Sequence, residues 1–177
     1  MPLDRRHFLL QSGSAAAVVA LFGQGCALPS AARSGNTLGF TGVPVSLRDA
    51  VVVPPEYEWQ LLYPWGTPTG IAGQMPAFAP DGSNSAADQA VQAGMHHDGM
   101  HFFALDSRGE RGLLVMNHEY TDEQLLHTDG VKAWTADKVR KSLHAMGVSV
   151  IEIRRTPTGW QQVQPSPFAR RVHGNTP

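Results

Sequence analysis

A single cysteine, Cys26, is all this 177-residue chain contains, which excludes an internal disulfide and any cysteine-rich zinc site. Charge is scarce as well. Asp, Glu, Lys and Arg make up 16% of the residues and the net charge is -1, giving no electrostatic case for nucleic acid or an anionic membrane surface. Long apolar runs are missing too. The most apolar stretch, near the start, is interrupted by Gln11, Ser12, Gly13 and Ser14 and is too short and polar for a permanent membrane span. There is no phosphate-cradling glycine-rich loop, no serine nucleophile set and no zinc-binding His-Glu-x-x-His helix. What is plentiful is glycine, 18 residues, and proline, 13, within a chain that is 42% hydrophobic. That balance predicts a turn-rich, mainly β globular protein.

Arg5-Arg6, then His7-Phe8-Leu9-Leu10 and a modest apolar region to Phe22, read as a twin-arginine signal over residues 1–32. Small residues at Ser30 and Ala32 suit cleavage after Ala32. The twin-arginine translocase exports folded proteins, so a periplasmic or extracellular location is expected. Lipoprotein anchoring through Cys26 is the alternative reading of the same region.

Residues 33–177 would then form the mature part. Pro44 makes Leu38–Ser46 an extended arm or edge strand at best. Val51-Val52-Val53 before Pro54-Pro55 predicts a buried extended stretch halted by a turn. Trp59, Leu61 and Tyr63 alternate as in a strand over 58–63. Gly70–Ala93 reads as a long loop with one helical turn at 88–93. Further on, Thr121 with Gln124 predicts a helix cap, and Thr135 caps a helix over 136–146 with an apolar stripe of Val139, Leu143 and Met146. Lys138, Arg140 and Lys141 are expected to be solvated, as are Arg170-Arg171, and His144 reads as a surface or capping residue. Val148–Ile153 and Trp160–Gln164 predict a hairpin about Thr156-Pro157-Thr158-Gly159.

The chemistry concentrates in Met95–Tyr120. Four of the eight histidines, His96, His97, His101 and His118, lie there with Asp98, Asn117 and Glu119. Met100–Leu105 and Gly112–Asn117 read as antiparallel neighbours across a polar, glycine-containing link, with Phe102, Phe103, Leu114 and Met116 in the core. Alternation puts Asn117 and Glu119 on one face and His118 on the other. A carboxylate and an amide on one face suit a hard cation such as Ca²⁺. His97 or His101 with Asp98 would add ligands, or a base for activating water. Each histidine also has a structural reading, as a core residue satisfied by a backbone carbonyl.

Leu38-Gly39-Phe40-Thr41, Val43-Pro44-Val45-Ser46, Leu62-Tyr63-Pro64-Trp65-Gly66, His96-His97-Asp98-Gly99-Met100-His101-Phe102 and Gly112-Leu113-Leu114-Val115-Met116-Asn117-His118-Glu119-Tyr120, with the twin-arginine start, resemble the N-terminal part of the PhoX-type alkaline phosphatases. The resemblance implies a partial β-propeller, its first blade or blades, with two helical insertions and a long irregular N-terminal region. It implies hydrolysis of phosphate monoesters by a metal-activated water or oxo group, with Ca²⁺ and Fe³⁺ as cofactors. Glu119 and Asn117 become the first metal-ligand candidates and Asp98 the next, with His97, His101 and His118 as their neighbours. Family members are several times longer, and their metal-binding cysteine has no counterpart, since Cys26 lies in the signal. This chain alone is therefore expected to be inactive. An exported β-propeller that binds without catalysing, or a non-functional gene fragment, are the competing readings.

Overall fold

This computed structural model describes residues 39–177; the expected signal, its expected cleavage point and Cys26 lie outside the described residues. The chain divides into two units, Met1–Glu58 and Trp59–Pro177. In the first, residues 39–58 hold no helix or strand. The expected burial of Val51–Val53 is not found: Val51 is exposed, and Val52 and Val53 are half-buried. The expected turn is present, with the Tyr57 N–H donating to Pro54 O at 2.9 Å and the Tyr57 ring edge-on to Phe40. Among the described residues of that unit no strand runs alongside those valines to cover them fully.

The second unit is built on one open antiparallel sheet. Its strands are β1 (His97–Ala104), β2 (Arg111–His118), β3 (Gly147–Thr156), β4 (Gly159–Gln162) and β5 (Arg170–His173). The order is β1-β2-β3-β4, with β5 also paired to β3. β3 therefore carries β2 along one edge, and β5 and β4 end to end along the other. The β1–β2 link is made by Asp106, whose carboxylate accepts from the N–H groups of Arg108 and Glu110, a side-chain turn that leaves Gly109 in the left-handed region.

The predicted strand at 58–63 does not form. Trp59 and Leu61 are exposed, and Tyr63 alone enters the core. Alternation without a neighbouring strand to pair with is insufficient. Helix α1 (Ala86–Gln89) begins earlier than expected, because Ser85 and Asp88 close a capping box. Helices α2 (Glu123–Leu126) and α3 (Ala136–Ala145) lie between β2 and β3. Asp122, not Thr121, caps α2; the Thr121 hydroxyl instead donates to Glu123 Oε1 at 2.7 Å. Thr135 caps α3 as predicted.

The buried face of α3 differs from the expected stripe. Val139 is exposed, while Lys141, Ser142, His144 and Ala145 are buried. Lys141 contradicts the expectation of a solvated basic face: its ammonium donates to Gly82 O at 2.7 Å and Leu126 O at 2.6 Å. A buried ammonium satisfied by two carbonyls can replace an apolar contact. His144 is likewise buried, with Nδ1 2.6 Å from Ala86 O.

The core covers one face of the sheet: Tyr63, Ala93, Met116, Ile151 and Ile153, with Leu62, Phe102, Leu114 and Trp160 against them. Phe103 is 53% exposed, contrary to its expected core role, because it sits one residue out of phase with Phe102. A smaller cluster of Met95, Leu126, Ala145 and Trp65 seats the helices.

Candidate metal centre

The predicted site residues gather at one end of the β1–β2 ladder. His97 pairs with His118 and Met100 with Met116, and the register shifts between them. Two residues of β1, Asp98 and Gly99, thus face one of β2, Asn117, which is a β-bulge. The bulge sets Asp98 across from Asn117. One step further, the Glu119 N–H donates to His96 O at 3.1 Å, extending the pairing beyond the last strand residue. Asp98, Asn117 and Glu119 therefore occupy one short strip of backbone.

Their exposure follows the pleat. His118 is buried, Asn117 is half-buried, and Asp98 and Glu119 are exposed. That agrees with the expected division of Asn117 and Glu119 from His118. His101 pairs with Val115, two residues before Asn117, so it shares the Asn117 face, and its ring meets Phe103 at 4.5 Å.

On the other face, His118 belongs to a buried polar network, and the half-buried His97 packs against it. His118 Nε2 lies 2.7 Å from Ser149 Oγ; Tyr63 Oη donates to Thr69 Oγ1 at 3.1 Å and approaches Ser149 Oγ at 3.3 Å. The His97 ring packs on His118 at 4.7 Å and on Tyr63 at 6.0 Å. Gly94 permits this closeness, since a Cβ there would fall 2.1 Å from Ala145 O and 2.6 Å from His118 Cγ. Burial, assisted by the positive charge of Arg171 and by His97, pushes the His118 imidazole down to about 3. Burial also lowers His97, against the opposing effect of its bond to Gly94 backbone.

A histidine held below its unfolded value binds its proton only after unfolding. The stability it contributes is present above about 6.5 and is lost as pH falls toward about 3. Urea midpoints are accordingly expected to decline through that window. His118→Gln should flatten the slope; an unchanged slope would contradict the assignment.

Arg171 corrects another expectation. It is 9% exposed, and its guanidinium donates to the carbonyls of Gln92, His144, Met146, Val148 and Val172. Arg170 is exposed and donates to Pro167 O and Ala169 O. Of the residues that underpin the strip, Ser149 was not singled out from sequence, Tyr63 was expected only as an alternating strand residue, and Arg171 only as one of a solvated pair. Only the alternation of Ala169, Arg171 and His173, at and just before the short strand β5, could have pointed to a buried arginine. Among the described residues no three His, Cys, Asp or Glu side chains are grouped so as to hold a metal ion. No helix among them is long and apolar enough to cross a membrane.

The pattern of the family described as "Alkaline phosphatase PhoX" matches residues 38–177, and the chain belongs to that family. A solved structure, Pseudomonas fluorescens PhoX in complex with vanadate, a transition state analogue, is 40% identical with a TM-score of 0.72. The match covers 78% of this chain and 23% of that one, so the chain spans about a quarter of its solved relative. Among curated proteins nothing matches. With that relative, the open sheet is the expected partial β-propeller.

Proposed function

We propose that the chain is a segment of an exported, metal-dependent phosphomonoesterase, with Asp98, Asn117 and Glu119 supplying part of its metal site. The observation that carries this reading is the bulge that sets Asp98 across from Asn117, one step from Glu119, in a member of the PhoX family. The solved relative binds vanadate as a transition state analogue, which supports a phosphate-ester substrate for this chain's family.

Two carboxylates and an amide oxygen are hard donors, and they fit a share of the coordination of Ca²⁺ or ferric iron. Such an ion, when bound, supplies positive charge for the phosphate oxygens and acidifies water. Asp98 and Glu119 would hold the ion, Asn117 would orient beside them, and the buried His118–Ser149 hydrogen bond, with His97 packed on the His118 ring, would keep the strands from shifting. The arginine pair and apolar region at the start support twin-arginine export to the periplasm or beyond.

With so few ligands, the chain alone is expected to bind Ca²⁺ weakly, with Kd on the order of 10⁻⁴–10⁻³ M, and to show no p-nitrophenyl phosphate turnover with Ca²⁺ and iron. Calorimetric titration checks the first and a phosphatase assay the second. Glu119→Gln should abolish the calcium heat. Robust turnover by the purified chain would overturn the incompleteness of the site, and a calcium heat unaffected by Glu119→Gln would overturn the ligand assignment.

A further inference from the structure

Among the described residues, His96 is the one non-glycine residue with a positive φ, 48°. It sits between two fixed points. The N–H of Met95, before it, donates to Ala145 O at 3.1 Å, and His97, after it, pairs with His118. In this left-handed conformation His96 presents its carbonyl to the Glu119 N–H at 3.1 Å. An extended residue would turn that carbonyl away. Its ring is solvent-exposed and meets Tyr120 edge-on at 5.2 Å. A left-handed backbone is unfavourable for an L-residue, although histidine tolerates it better than most. Strain of this kind persists where the surroundings impose it, and it clusters at functional sites.

We propose that His96 is a positioning residue whose left-handed backbone, rather than its ring, fixes Glu119 at the end of the β1–β2 ladder. The purpose of that placement rests on Glu119 being a cation ligand, as proposed for the function.

The test uses the full chain with His96→Gly and His96→Ala. Both remove the ring and differ in tolerance of positive φ. Two readouts are taken: exchange of the Glu119 amide by NMR, with Ile151 as a core reference, and binding of Tb³⁺ as a luminescent stand-in for Ca²⁺. His96→Gly is expected to keep Glu119 protection and Tb³⁺ affinity within about twofold of the parent, because glycine adopts this conformation freely. His96→Ala is expected to speed Glu119 exchange and weaken Tb³⁺ by about fivefold, with Ile151 unchanged. Equal behaviour of the two variants at Glu119 would overturn the inference. A parent chain that ignores Tb³⁺ while the Glu119 exchange pattern holds would overturn the cation reading alone.

Discussion

Arg171→Ala is expected to destabilise the chain by about 3–5 kcal/mol, the largest effect of any single substitution considered. The guanidinium is a hub. It reaches His144 O and Met146 O where α3 ends, Val148 O on β3, Val172 O on β5, and Gln92 O in the loop before β1. Truncation leaves these carbonyls without their donor in a site that water cannot easily enter, and each loss carries a desolvation penalty. Burial already pushes the guanidinium down to about 10, so its placement has a cost that only the full set of bonds offsets. Arg171→Lys should recover little, because an ammonium cannot fan out to carbonyls on several elements. Urea unfolding followed by tryptophan fluorescence measures both variants. A loss below about 1 kcal/mol for Arg171→Ala, the range of surface changes, would contradict this role.

Gly94→Ala is expected to cost about 2–3 kcal/mol and to disturb the strip itself. The added methyl would lie 2.1 Å from Ala145 O and 2.6 Å from His118 Cγ. The first obstacle is backbone, which cannot swing aside as a side-chain tip can. Relief requires the segment before β1 to lift away from α3, loosening the Met95 N–H bond to Ala145 O and the His97–His118 contact. The expected signature is a lower urea midpoint together with weaker Ca²⁺ binding. A variant as stable as the parent would show that the segment moves without penalty.

Much of this architecture was legible in the residues, and the exceptions share a physical cause. β1, β2 and β3 announce themselves because apolar, β-prone runs are bounded by Asp106–Gly109 and by Gly147, where turns are required. Thr135 marked the start of α3 through local hydrogen-bonding alone. The failures arose where distant partners decide. Lys141 is buried because Gly82 O and Leu126 O wait for it, and neither is near in sequence. Trp59 and Leu61 alternate correctly but lack a strand to pair with. At the site, strand alternation separated Asn117 and Glu119 from His118, whereas the bulge at Asp98 and the backbone of His96 depend on register between strands. The histidines drew notice by their number, yet His97 and His118 face the core network with Tyr63 and Ser149.

The most direct test of the phosphatase assignment is a chimera in which residues 38–177 replace the matching segment of Pseudomonas fluorescens PhoX. The account predicts p-nitrophenyl phosphate hydrolysis by the chimera and a loss of about a hundredfold or more on Glu119→Gln, since even residues that only support metal ligands cost 10–100-fold. A folded chimera without activity, or one that Glu119→Gln leaves as active as before, would contradict it.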